Sequence, residues 1–103
     1  MLFAMTLTDG AGAQSLRTEH LDAHLQFVLG VLDRIRVAGP MMDASTGQAG
    51  MSLYVIEAED AAAARRFLEQ DPYYRAGVWS GIDIREFRAA AGTWVGGAAW
   101  LKG

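Results

Sequence analysis

Residues 51–57, Met-Ser-Leu-Tyr-Val-Ile-Glu, constrain the fold more than any other stretch of this chain. They are rich in β-branched and aromatic residues and apolar at both odd and even positions. That pattern belongs to a strand inside a sheet, with both faces covered. A chain of 103 residues is long enough for one domain around one core. It must cover both faces of such a strand with few elements.

The remaining patterns supply those elements. Residues 2–8 predict a first strand, with Phe3, Met5 and Leu7 on one face and Leu2, Ala4, Thr6 and Thr8 on the other. Asp9 to Ser15 reads as a loop, and its Gly10 and Gly12 lack the rest of a dinucleotide fingerprint. The spacing of Leu21, Leu25, Val28 and Leu32 predicts a helix from about Leu16 to Asp33, capped by Ser15, with that row buried against a sheet. His20, His24, Phe27 and Val31 fall in a second row on the flank of the buried face. Gly30 inside the helix points to a close backbone contact. Ile35 to Ala38 alternates as a short strand stopped by Gly39-Pro40, and a loop follows to Gly50. Asp60 caps a second helix through Gln70, with Ala64, Phe67 and Leu68 inward, and Asp71-Pro72 ends it. Tyr73 to Gly77 forms a turn or short helical piece before a last strand over residues 78–87.

The order strand, helix, strand, strand, helix, strand predicts an α+β, ferredoxin-like βαββαβ domain over residues 1–88, with an antiparallel sheet and its helices on one face. The other face is left open, and its apolar rows are too large for a monomer. Two sheets pairing face to face as a dimeric α+β barrel solve this, so the expected partner is a second copy of the chain. The tail, residues 89–103, carries Trp94 and Trp100 and is expected to pack on its own or the partner subunit.

Composition excludes several function classes. Twelve acidic and nine basic residues give a net charge of -3 with no basic run, which argues against nucleic acid as a partner. The absence of cysteine removes disulfides, thiolate nucleophiles and thiolate metal sites. No apolar run approaches the ~20 residues needed to span a bilayer, and the first residues lack the basic start of a signal peptide. No membrane association and a cytoplasmic location are expected.

Proton chemistry near neutral pH falls to histidine. His20 and His24, four apart, suggest a metal pair, but Leu21 stands where a zincin helix carries its glutamate and no spacing rule supplies a third ligand. No metal or cofactor is expected. Ser52 and Ser80 lack a nucleophile elbow. From the residues alone, His24 is either a helix-flank histidine bonded to a backbone carbonyl or a catalytic base, and Asp71 is either an Asx turn before Pro72 or its counterpart.

Met-Leu-Phe at the start, His24-Leu25, Arg34 through Ala38-Gly39-Pro40, and Asp71-Pro-Tyr-Tyr-Arg-Ala-Gly-Val78 together resemble the YCII-related proteins of the dimeric α+β barrel superfamily. The resemblance runs to about residue 88, and its most specific piece is Asp-Pro-Tyr followed by Ala-Gly-Val. It implies a proton-transfer pair made by a histidine of the first helix and an aspartate before proline, which fall on His24 and Asp71. Many relatives carry an arginine where Leu21 stands here, with Arg17 one turn earlier. A carboxylate bonded to one imidazole nitrogen fixes the tautomer and leaves the other nitrogen free as base or acid. The expectation is a small cofactor-independent lyase or isomerase. In it, His24 and Asp71 are catalytic, and Arg17, His20, Tyr73 and Trp79 contact a small, aromatic or enolisable substrate. The alternative is a non-catalytic dimeric module that binds a small ligand or serves in assembly.

Overall fold

In the computed structural model, which describes residues 1–101, the chain forms β1 (Leu2–Asp9), α1 (Ala13–Gly30), β2 (Ile35–Met42), β3 (Ala49–Glu57), α2 (Ala61–Glu69), α3 (Pro72–Ala76) and β4 (Trp79–Phe87). The main sheet has the order β2-β3-β1-β4, antiparallel throughout, which is the ferredoxin-like topology. β3 lies inside the sheet, as its two-sided apolar sequence requires.

Alternation along β1 sends Phe3, Met5 and Leu7 into the core under the helices. The register pairs Phe3 with Ile56, Met5 with Tyr54 and Leu7 with Ser52. The inner face of β3 therefore changes from apolar to polar along its length, and the polar end is where the site lies. α2 closes the core with Ala64, Phe67 and Leu68, its start fixed by the Asp60 carboxylate accepting from Ala63 N at 2.8 Å. Gly77, left-handed at φ 81°, ends α3 and turns the chain into β4.

The first helix departs from expectation. It starts at Ala13 behind a left-handed Gly12 at φ 75°, so Ser15 lies inside the helix and does not cap it. It ends at Gly30, ahead of a short 3₁₀ turn over Leu32–Arg34, and open space surrounds Gly30 where a backbone contact was expected. Its leucine row does not face the core: Leu21 and Leu25 are 44% and 46% exposed. Leu16, Phe27 and Val31 pack against the core instead. Aromatic contacts set this rotation, with the Phe27 ring 5.4 Å from Phe67 and the His24 ring stacked on Tyr73.

β2 runs through Gly39-Pro40 to Met42, because an edge strand can turn a missing N–H away from the ladder. Beyond β4, β5 (Ala91–Gly92) and β6 (Gly97–Ala98) form a small hairpin. The tail and the open sheet face border a half-open cavity of about 900 Å³ lined by Leu2, Ala4, Val37, Val55, Phe87 and Trp94 among others. Trp94 and Trp100 remain 83% and 69% exposed. Lys102 and Gly103, the end of the expected tail, lie outside the described residues. Among the described residues no helix is long and apolar enough to cross a membrane.

Candidate active site

Asp71 is the N-cap of α3, a position its sequence dictates: Pro72 sits at the first helical turn and the Asp71 Oδ1 accepts from Tyr73 N at 2.9 Å. The side chain is fully buried, at 0% exposure. The same Oδ1 lies 2.8 Å from His24 Nδ1, and Oδ2 accepts from the Tyr54 hydroxyl at 2.8 Å. These hydrogen bonds satisfy a carboxylate that would otherwise be costly to bury. A carboxylate can only accept, so the proton of this contact sits on His24 Nδ1 and the lone pair of the neutral ring on Nε2. Burial, then the nearby Asp71 charge, push the Tyr54 hydroxyl above the ordinary tyrosine range, which keeps it a donor.

The His24 ring lies flat on Tyr73, with centroids 3.9 Å apart and planes within 4°. The Tyr73 hydroxyl donates to the Arg17 carbonyl at 3.2 Å, and Trp79 meets the Tyr73 ring edge-on at 5.9 Å. Burial raises the Tyr73 hydroxyl too, partly offset by the Arg17 charge. Arg17 is held by Asp9 through Nε at 3.2 Å and Nη2 at 2.8 Å, and Nη2 also donates to Ser52 Oγ at 2.9 Å.

These groups border a cleft of about 240 Å³ between α1, β2 and β3. Arg17, His24, Leu25 and Val28 line it from the helix, Ala38 to Pro40 from β2, and Ser52 to Tyr54 from β3, with Tyr73 and Trp79 alongside. Leu25 and Val28, expected in the core, form its apolar wall. The volume lies below the roughly 300–1,000 Å³ of drug-sized pockets and suits a molecule of about one ring. Among the described residues no three His, Asp or Glu side chains gather as a metal site would require.

The YCII-related domain model matches residues 1–88, the stretch that holds every residue of this cleft. The chain belongs to the YCII-related family. It is similar to the 5-chloro-2-hydroxyhydroquinone dehydrochlorinase of Burkholderia phenoliruptrix AC1100, solved in complex with 2,5-dihydroxybenzoquinone. The two are 28% identical, with 90% of this chain and 97% of that one covered and a TM-score of 0.78. A protein from Agrobacterium tumefaciens shares the fold alone, at 11% identity, 87% and 94% coverage and a TM-score of 0.50. Comparison with curated proteins gives no match.

Within this YCII-related fold, the structure brings His24 and Asp71 into contact and sets Arg17, Tyr73 and Trp79 around the same cleft. His20 is not among the lining residues; its imidazole is 36% exposed and 3.9 Å from Glu19. Sequence reasoning missed Asp9, Ser52 and Tyr54 as parts of the site. Two of them left a signal. Ser52 and Tyr54 occupy alternate positions of an interior strand, on the face shared with Ile56, where polar atoms need partners.

Proposed function

We propose that the protein is a small enzyme of lyase or isomerase type in which His24 Nε2 moves a proton of a one-ring or enolisable substrate and Asp71 orients the imidazole. The observation that carries this reading is the 2.8 Å contact between His24 Nδ1 and the buried Asp71 Oδ1, beside a cleft that His24 itself lines. It sets the tautomer whose free nitrogen can act as base and then as acid. Such a pair acts without a cofactor on eliminations: loss of hydrogen chloride removes one proton and one chloride and needs no electron acceptor. The similarity to a dehydrochlorinase supports elimination from a hydroxylated ring. In this reading residues 1–88 are the catalytic domain, the tail packs on its own or a second subunit, and the protein works in the cytoplasm as a homodimer joined through the open sheet faces.

The test is chloride release from 5-chloro-2-hydroxyhydroquinone, followed in the wild type, His24→Gln and Asp71→Asn. Both substitutions are expected to slow release by about 10²-fold or more. Equal rates in wild type and His24→Gln, or no release by the wild type, count against the reading. The open sheet face with its 900 Å³ cavity favours one other reading, a non-catalytic dimeric module. That reading holds if neither substitution changes any turnover while dimerisation persists.

A further inference from the structure

Two polar atoms of the cleft, besides His24 Nε2, are left over by the protein. Arg17 spends Nε and Nη2 on Asp9 and Ser52, and among the described residues Nη1 meets no acceptor. Ser52 Oγ accepts from Arg17, while its own O–H has no acceptor. Ser52 is only 8% exposed, so this hydroxyl is not a casual surface group. The one side-chain polar atom that is both sealed and unpaired among the described residues is Trp79 Nε1. Arg17 Nη1 is therefore not sealed, and the Ser52 hydroxyl beside it keeps a proton to give. Both residues line the cleft that His24 borders.

We propose that Arg17 and Ser52 form an oxygen-binding pole in this cleft, and that the substrate is a single ring carrying an oxygen next to the carbon from which His24 removes a proton. The inference rests on the His24–Asp71 reading for the direction in which charge moves. Arg17 Cζ lies 5.5 Å from the centre of the Tyr73 ring, on which the His24 ring stacks at 3.9 Å, so one aromatic side chain touches both groups beside a cleft with room for one substrate ring. Leu25 and Val28 supply apolar wall for the faces of that ring.

The charge of the pole defines the oxygen it takes. Asp9 lies 2.8 Å from Arg17 and the two side chains are 11% and 16% exposed, so the guanidinium is already matched by a carboxylate. A free carboxylate of a substrate gains little there. A carbonyl or hydroxyl oxygen on which negative charge develops gains more, because donors fixed in advance strengthen as that charge forms. The step balances without another reagent. His24 Nε2 takes a proton from the saturated ring carbon next to a carbonyl; the C–H pair becomes a C=C bond to the carbonyl carbon; the C=O π pair moves onto oxygen, which accepts from Arg17 Nη1–H and Ser52 Oγ–H. Asp9 is a positioning residue that aims the guanidinium.

The experiment is titration of the protein with 2,5-dihydroxybenzoquinone, reading affinity and the visible absorption band of the bound quinone, in wild type, Ser52→Ala, Arg17→Gln and His24→Gln. Ser52→Ala is expected to weaken binding about threefold to tenfold, and Arg17→Gln more than tenfold. Ser52→Ala also shifts the bound band, which a merely structural serine would not do. Wild-type affinity and an unshifted band in Ser52→Ala overturn the pole. If Arg17→Gln does not fold, Ser52→Ala decides alone. Chloride release from the chlorinated substrate separates the two readings. Release retained in His24→Gln overturns the base, and loss in His24→Gln with unchanged quinone binding in Ser52→Ala overturns the pole only.

Discussion

Asp71 is the residue on which the site turns, because one carboxylate starts a helix, orients an imidazole and receives a tyrosine. Tyr54→Phe leaves the buried Oδ2 without its donor and is expected to cost about 1–3 kcal/mol in urea denaturation. The same substitution changes the alkaline limb of stability. Tyr54 holds its proton more tightly folded than unfolded, so its contribution is present in full below the unfolded value of ~10 and is lost as pH rises beyond it. The wild type should therefore lose stability more steeply above ~pH 10 than Tyr54→Phe; parallel slopes would refute the assignment. At this scale His24 and Asp71 were legible through the resemblance to the YCII-related proteins that Asp-Pro-Tyr and Ala-Gly-Pro carry, while the residues alone left each open to a purely structural role. The sequence did not reveal Asp9, which reads as the start of a loop, ends β1 in the structure, and meets Arg17 only when α1 folds back over that strand.

Among the elements, α1 shows where pattern reading stops. Its leucines and its histidine row run side by side, and periodicity alone favours the more apolar one. The fold turns the row with Leu16, Arg17, His24, Phe27 and Val31 inward and leaves Leu21, Leu25 and Leu29 at the surface or the cleft wall. An inner row that carries Arg17 and His24 among its apolar members is what a working site on a helix demands, and it breaks the rule that the most apolar face is buried. α2 has no such task, and there the spacing of Ala64, Phe67 and Leu68 identified the buried face. The difference is measurable. Leu68→Ala, at a fully buried position, should cost ~2–5 kcal/mol. Leu25→Ala should fall within about 0.5 kcal/mol of wild type. A Leu25→Ala cost as large as that of Leu68→Ala would mean that α1 is rotated otherwise in solution.

For the whole molecule, the strand and helix order was legible because each element carried a clear period and Asp60 and Asp71-Pro72 marked the ends of α2. The path of β2 was not, since Gly39-Pro40 reads as a stop and only its edge position permits it. The open face of the sheet, with Leu2, Ala4, Val37 and Val55, makes its own prediction. Sedimentation equilibrium at micromolar concentration should give twice the chain mass, and a monomer there would sink the paired-sheet arrangement. The three tryptophans divide by environment: Trp79 is sealed beside Tyr73, while Trp94 and Trp100 stand in solvent. The molecule thus carries its own optical reporters. Iodide quenches the emission of the exposed pair and spares the indole at the cleft, so residual fluorescence follows occupancy of the site while the quenched fraction follows burial of the tail.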